Sequence, residues 1–120
     1  MSKLVILITS RTEDVHAVGE AWQKAGAPGV TIIESYGLRR LQEKSKALEI
    51  LPGMMSLQEI MRESDITSVF VLSVVHDEQV DALLAATEAV LGDLDQPDTG
   101  VAFVLDVERA IGIRHFGQHR

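Results

Sequence analysis

The sequence predicts an α+β fold, a four-stranded antiparallel sheet with two helices on one face, and three observations predict it. Four short segments are rich in Val, Ile or Leu, and three of them are apolar on both faces, as buried strands are. Two other stretches carry apolar residues at helical spacing. The order is β-α-β, a long connection, then β-α-β. With 120 residues and 46% apolar content, residues 1–120 form a single domain that can bury a core without staples.

The first strand is Leu4 to Ile8, and Thr12 offers an N-cap after it, with Glu13 and Asp14 in the first turn where the helix dipole favours negative charge. Val15, Val18, Ala21, Trp22 and Ala25 then recur at helical spacing, and Gly26 stops the helix. The turn Ala27-Pro28-Gly29 leads into a second strand, Val30 to Ser35, and the third runs from Ser68 to Val75. Asp77 is placed to cap a helix whose stripe is Val80, Leu83, Leu84, Thr87, Val90 and Leu91, closed by Gly92. A polar loop, DLDQPDTG, precedes the fourth strand, Val101 to Val107. Two βαβ units in so short a chain predict a split-βαβ, ferredoxin-like sandwich.

Between the halves lies an insertion from Gly37 to about residue 66, far longer than the usual connection of about 2–5 residues. Leu38, Leu41, Leu48 and Leu51 share a helical face in it, and SLQE at 56–59 has the form of a capping box. The sheet poses a burial problem, because two helices cover only one of its faces. Leu4, Ile6 and Ile8 oppose Val5 and Leu7, while Phe70, Leu72 and Val74 oppose Val69, Val71 and Val75. An apolar face of that size needs a cover. Either subunits pack sheet on sheet, or the insertion folds back over its own sheet; the charge in the insertion favours subunits.

A net charge of −7 argues against broad nucleic-acid binding, which needs a positive field. It leaves room for one small anion on a local basic cluster. The absence of cysteine excludes disulfides, thiolate metal sites and a thiol nucleophile. No apolar run reaches membrane-spanning length, so a cytoplasmic protein with no membrane insertion is expected.

The closing segment FVLDVERAIGIR, 103–114, resembles the PII signalling proteins' F-V-x-P-V-E-x-A-I-R-I-R. GAPGVTIIESYGLRR, 26–40, resembles the stretch that leads into their long mobile T-loop, and VVHDEQVDALLAATEAVLG resembles the helix before their nucleotide-binding B-loop. The resemblance implies a single PII-like domain with a T-loop-like insertion at about 37–66, a homotrimer with nucleotide in the intersubunit clefts, and a T-loop that reports ligand state to a protein partner. It implies no catalysis and no required cofactor. Arg114 matches the second arginine of I-R-I-R, which reaches nucleotide phosphates in the family, and a guanidinium suits phosphate because its fork pairs bidentately. Gly37 and Arg40 match the glycine and arginine at the T-loop base, and Gly100 keeps the last glycine of the B-loop T-G-x-x-G-D-G-K. The effector-binding set implied is therefore Gly37, Arg40, Gly100 and Arg114.

The departures matter as much. Thr99 stands for the B-loop aspartate, Val101 for its phosphate-binding lysine, and Gly112 for the first arginine of I-R-I-R. Leu41 stands where the family has the glutamine that helps hold magnesium and 2-oxoglutarate, although Gln42 is adjacent, and no tyrosine lies between Gly37 and Ile66. The sequence fits a divergent PII-like sensor of a small anionic effector: ADP, AMP, a weakly held ATP, or another anion such as bicarbonate.

Other polar groups have plainer readings. Arg39, Arg40, Lys44 and Lys46 form a basic cluster that is otherwise a solvated helix face. His115 and His119 have metal-ligand spacing but sit in a terminal segment broken by Gly117. Asp106 and Glu108 alternate along a strand end, with Asp106 at the family's proline position; His16 and His76 have no placed partners, and the methionines of the insertion are adaptable apolar filler. No nucleophile–base set, P-loop or dinucleotide fingerprint is present, so an enzyme is not expected. Two alternatives remain at this point: a CutA-like metal-binding trimer on the same plan, and a structural trimer whose insertion is only a docking arm.

Overall fold

The computed structural model describes residues 1–36, 38, 42 and 68–112. Strand β1 (Ser2–Thr9) lies at the centre of the sheet, and every pairing is antiparallel. It pairs on one side with β3 (Ser68–His76) and on the other with β4 (Val101–Asp106), while β2 (Thr31–Ser35) extends the sheet beyond β3. The order β2-β3-β1-β4 is the split-βαβ arrangement that the element order predicts. The second strand begins one residue later and the fourth ends one residue earlier than the apolar pattern suggests.

Helices α1 (Val15–Lys24) and α2 (Val80–Leu91) pack together over one face. Alternation along the strands decides which side chains meet them. Val5 and Leu7 of β1 and Val69, Val71 and Val75 of β3 are buried against Val15, Val18 and Trp22 of α1 and Leu83 and Leu91 of α2. Gly19 is also buried on α1, where the stripe read from the sequence has no member.

The polar groups in this core are all partnered. Trp22, the sole tryptophan, donates its indole N–H to Thr87 Oγ1 at 2.8 Å, and Thr87 donates in turn to the Leu83 carbonyl at 2.8 Å. Trp22 and Thr87 have no exposed surface, so this chain ties α1 to α2 out of contact with water. Ser73 donates to the Gly29 carbonyl at 2.5 Å and fastens β3 to the turn before β2. No buried side-chain nitrogen or oxygen among the described residues lacks a partner.

Helix ends depart from the sequence reading. Thr12 is not an N-cap; Thr12–Asp14 form a 3-10 turn, and α1 starts after Asp14, whose carboxylate is engaged by Arg11 instead. Asp77 likewise opens a 3-10 turn, Asp77–Gln79, and the side chain that closes it is Gln79, whose Oε1 accepts the His76 N–H at 2.9 Å. In both places a short tighter turn precedes the α-helix and moves its start past the polar residue. The C-terminus of α1 follows expectation. Gly26 has φ +104°, the Ala27 N–H reaches Trp22 O at 3.0 Å, and the Gly26 N–H reaches Gln23 O at 3.1 Å, a Schellman closure. The Gln79 amide donates to Gly26 O at 2.9 Å and locks this end to the start of α2.

The opposite face of the sheet remains apolar. Leu4, Ile6, Ile8, Phe70, Leu72, Val74, Val101, Phe103 and Leu105 all point to it by register, joined by Ile33 of β2. Ile33, Val101, Phe103 and Leu105 are each about half exposed, at 47, 52, 48 and 46%. The insertion helices proposed from Leu41, Leu48, Leu51 and 56–59 lie outside the described residues.

Two predictions follow from these contacts. Thr87→Val keeps the shape of the residue but strands the buried Trp22 indole N–H, so it should destabilise the fold by about 1–3 kcal/mol. Urea unfolding followed by Trp22 fluorescence measures this, and a loss below about 0.5 kcal/mol would refute it. The second concerns Lys3 and Asp106, directly opposed on β1 and β4 and joined by an ion-paired hydrogen bond. That hydrogen bond, and then the lysine's charge, hold the Asp106 carboxyl below its usual range, while the same bond raises Lys3. A lowered carboxyl favours folding above its unfolded value and loses that contribution as pH falls through its folded value. The raised lysine contributes below its ordinary value and loses it as pH climbs through the raised one. Asp106→Asn should therefore cost most between about pH 5 and 9 and converge with wild type at the acid end. Chemical denaturation across pH reads this directly, and a difference independent of acid pH would show the pair to be inert.

Candidate functional site

Arg40, Gly37 and Arg114, three of the four residues implied as effector-binding, lie outside the described residues. Gly100 is described, and the structure places it in a cleft between the C-terminal half of α2, the loop 92–100 and the first residues of β4. The cleft has a volume of about 460 Å³; Leu84, Leu94, Ala102 and Val104 supply apolar walls, and Gly100 and Val101 lie at its margin. Three carboxylates, Glu88, Asp93 and Asp95, also line it, and no lysine or arginine does so among the described residues.

The loop is built by its own polar groups together with Glu88 of α2. The Leu94 N–H donates to Glu88 Oε2 at 3.2 Å, and the Asp95 N–H donates to Asp93 Oδ1 at 2.9 Å. The Gln96 N–H reaches Asp93 O at 3.0 Å, and Thr99 Oγ1 donates back to Gln96 O at 2.8 Å. Asp98 sits at φ +65°, a left-handed conformation that aspartate tolerates better than most residues. Gly100 is required by packing: a Cβ there would sit 2.9 Å from the Ile8 carbonyl oxygen and 3.3 Å from Leu7 and Thr9 side-chain atoms. Its glycine is thus accounted for by the close approach of the loop to β1, apart from any ligand.

Val101, at the position of the family's lysine, is half exposed with its side chain on the open sheet face. Thr99, at the aspartate position, is buried and spends its hydroxyl inside the loop. Gly112 has φ +88°, and among the described residues no atom other than its own and its chain neighbours' lies within 4 Å of where its Cβ would stand. Asp106 pairs with Lys3, which accounts for it structurally. His16 is exposed and lines a smaller recess of about 150 Å³ with Gly19, Glu20, Gln23, Val30 and Ile32. His76 is exposed, and His115 and His119 lie outside the described residues. Among the described residues, no three histidines or carboxylates group so as to hold a metal ion, and no helix is long and apolar enough to cross a membrane.

Sequence reasoning missed Arg11. Its Nη1 donates to the Leu91 carbonyl at 2.5 Å, and its Nε and Nη2 reach Asp14 Oδ2 at 2.9 and 2.7 Å. Nothing in the spacing around Arg11 announces this, because its main partner is a backbone oxygen 80 residues away.

Solved structures of the same fold carry the comparison further. A nitrogen regulatory PII-like protein, CPII from Thiomonas intermedia K12, bound to ADP, AMP and bicarbonate, superposes with a TM-score of 0.56 at 18% identity, covering 94% of each chain. GlnK of B. subtilis, in complex with ATP, superposes with a TM-score of 0.60 at 19% identity, covering 94% of this chain and 87% of GlnK. No curated protein sequence matches the chain. The profile of the P-II family, described as Nitrogen regulatory protein P-II, matches residues 1–116. The chain belongs to that family, and is a PII-like signalling protein rather than an enzyme.

Proposed function

We propose that the protein is a homotrimeric sensor of a small anionic effector, held in clefts between subunits and reported to a protein partner through the segment at 37–66. One observation carries the reading: the cleft of about 460 Å³ beside the loop 92–100, at the edge of the sheet, in a member of the P-II family. The half-exposed apolar face beneath it supports the trimer, because three sheets packed together would take that surface out of water. A site completed by a neighbouring subunit would draw Gly37, Arg40 and Arg114 toward the loop that contains Gly100.

The charges of the cleft support an effector with few phosphates. Val101 and Gly112 replace two cations of the family's phosphate-binding set, each worth about 1.5–3 kcal/mol as a charge-assisted hydrogen bond. Their loss weakens a triphosphate by roughly a hundredfold or more. Glu88, Asp93 and Asp95 add repulsion that grows with each phosphate. AMP, ADP or a compact anion such as bicarbonate loses least, and CPII, bound to ADP, AMP and bicarbonate, is a structural neighbour with such ligands.

Light scattering coupled to size exclusion should give about three times the 13.1 kDa chain mass. A monomer at micromolar concentration would refute the trimer and point to the insertion as the cover of its own sheet. Calorimetry should show ADP or AMP binding at least as tightly as ATP, with Arg114→Ala weakening the nucleotide. Tight, magnesium-dependent ATP binding would overturn the weakened site, and binding indifferent to Arg114→Ala would remove that residue from it.

A further inference from the structure

We propose that Thr9 and Arg11, at the exit of β1, are positioning residues that clamp both ends of the loop 92–100 and so set the shape of the cleft; the link to ligand binding rests on the reading of that cleft as the effector site. Arg11 holds the loop's first end. Its Nη1 donates to the carbonyl of Leu91, the last residue of α2, at 2.5 Å. Helix C-termini leave such carbonyls without intrahelical partners and carry partial negative charge, so a guanidinium satisfies both the bond and the dipole. Asp14 fixes the other side of the fork through Nε and Nη2, at 2.9 and 2.7 Å, so Arg11 is held before it reaches Leu91.

Thr9 holds the loop's second end. Its hydroxyl donates to the Thr99 carbonyl at 2.6 Å and accepts the Arg11 backbone N–H at 3.1 Å. Thr9 is only 2% exposed, so water does not compete for that bond. Two residues of one segment, bonded to each other, therefore fix the boundaries of a loop whose interior places Asp93 and Asp95 around the cleft, beside Glu88 of α2. The close approach of Gly100 to Ile8 and Thr9 adds a third point of contact on the same segment. Lysine cannot replace Arg11 in full, since one ammonium does not reproduce a planar fork that reaches Leu91 and Asp14 at once.

Hydrogen exchange on the full-length protein, paired with ADP calorimetry, tests the clamp in Arg11→Ala, Arg11→Lys and the near-isosteric Thr9→Val. Amides of Leu94, Asp95 and Gln96 should exchange at least tenfold faster in Arg11→Ala and Thr9→Val, with Arg11→Lys between wild type and alanine. Amides of α1 and β3 should stay within twofold, which a general loss of stability would not allow. ADP affinity should fall at least fivefold, in the same order as loop exchange. Unchanged loop exchange, or faster exchange spread evenly over α1 and β3, overturns the clamp. Faster loop exchange with unchanged ADP affinity overturns its control of the cleft. If wild type binds neither ADP nor AMP, the effector reading fails by itself, and the exchange measurements still decide the clamp.

Discussion

Two helices cannot cover both faces of a four-stranded sheet, and most of what this chain does follows from that constraint. Strands β1 and β3 are apolar on both sides, so burying Val5, Leu7, Val69, Val71 and Val75 under α1 and α2 turns Leu4, Ile6, Phe70, Leu72 and Val74 the other way. A one-residue slip of register would not solve the problem, because it would exchange one apolar set for the other. The exposed halves of Phe103 and Leu105 on the edge strand β4 continue the same surface. A second protein surface is the natural cover, and the loop 92–100 lies at the margin of that surface because it feeds directly into β4.

The polar groups buried on the helix side serve a different purpose from the apolar ones. Thr9, Ser73, Thr87 and Thr99 are small and buried, and each bonds across elements or within the loop. Apolar burial supplies most of the stability but is indifferent to small sliding motions, whereas a buried hydroxyl with one good acceptor is not. The Trp22–Thr87 bond thereby fixes how α1 lies on α2, and Thr9 and Ser73 fix loops to strands. Precision in the loop is thus inherited from the core beneath it.

The strands and helices were legible in the sequence because hydrophobic period is a strong signal over eight or more residues, as in Ser68 to Val75 and Val80 to Leu91. The helix starts were not. Thr12 and Asp77 have the right chemistry for caps, yet a 3-10 turn intervenes in both places, and nothing local distinguishes a cap from the first residue of such a turn. Gly100 stands out by family resemblance, but its packing against Ile8 depends on the pairing of the first strand with the last. Arg11 was illegible for the same reason. Of the implied effector set only Gly100 falls within the described residues, and its packing accounts for it without a ligand, so the resemblance alone speaks for all four as effector-binding.

Charge distribution gives the reading of a composite site its physical sense. The chain has eleven lysines and arginines and eighteen carboxylates. The described residues hold four of those cations, Lys3, Arg11, Lys24 and Arg109, against thirteen carboxylates, a net of −9. The remaining segments hold seven cations against five carboxylates, a net of +2. Within the described frame, moreover, Lys3 and Arg11 are already committed to Asp106 and Asp14. A frame so acidic cannot bind an anion by itself, and the cleft beside Gly100 is lined accordingly. With no lysine or arginine in its described lining, an anionic effector there would draw countercharge from beyond the cleft wall: from Lys24 or Arg109, or from the seven cations of the remaining segments, on the same chain or on a neighbour. Where the groups that neutralise the ligand belong to the insertion, occupancy of such a cleft is coupled to where the insertion lies. Ligand and insertion would each stabilise the bound arrangement of the other, and a sensor that reports through the 37–66 segment requires that linkage.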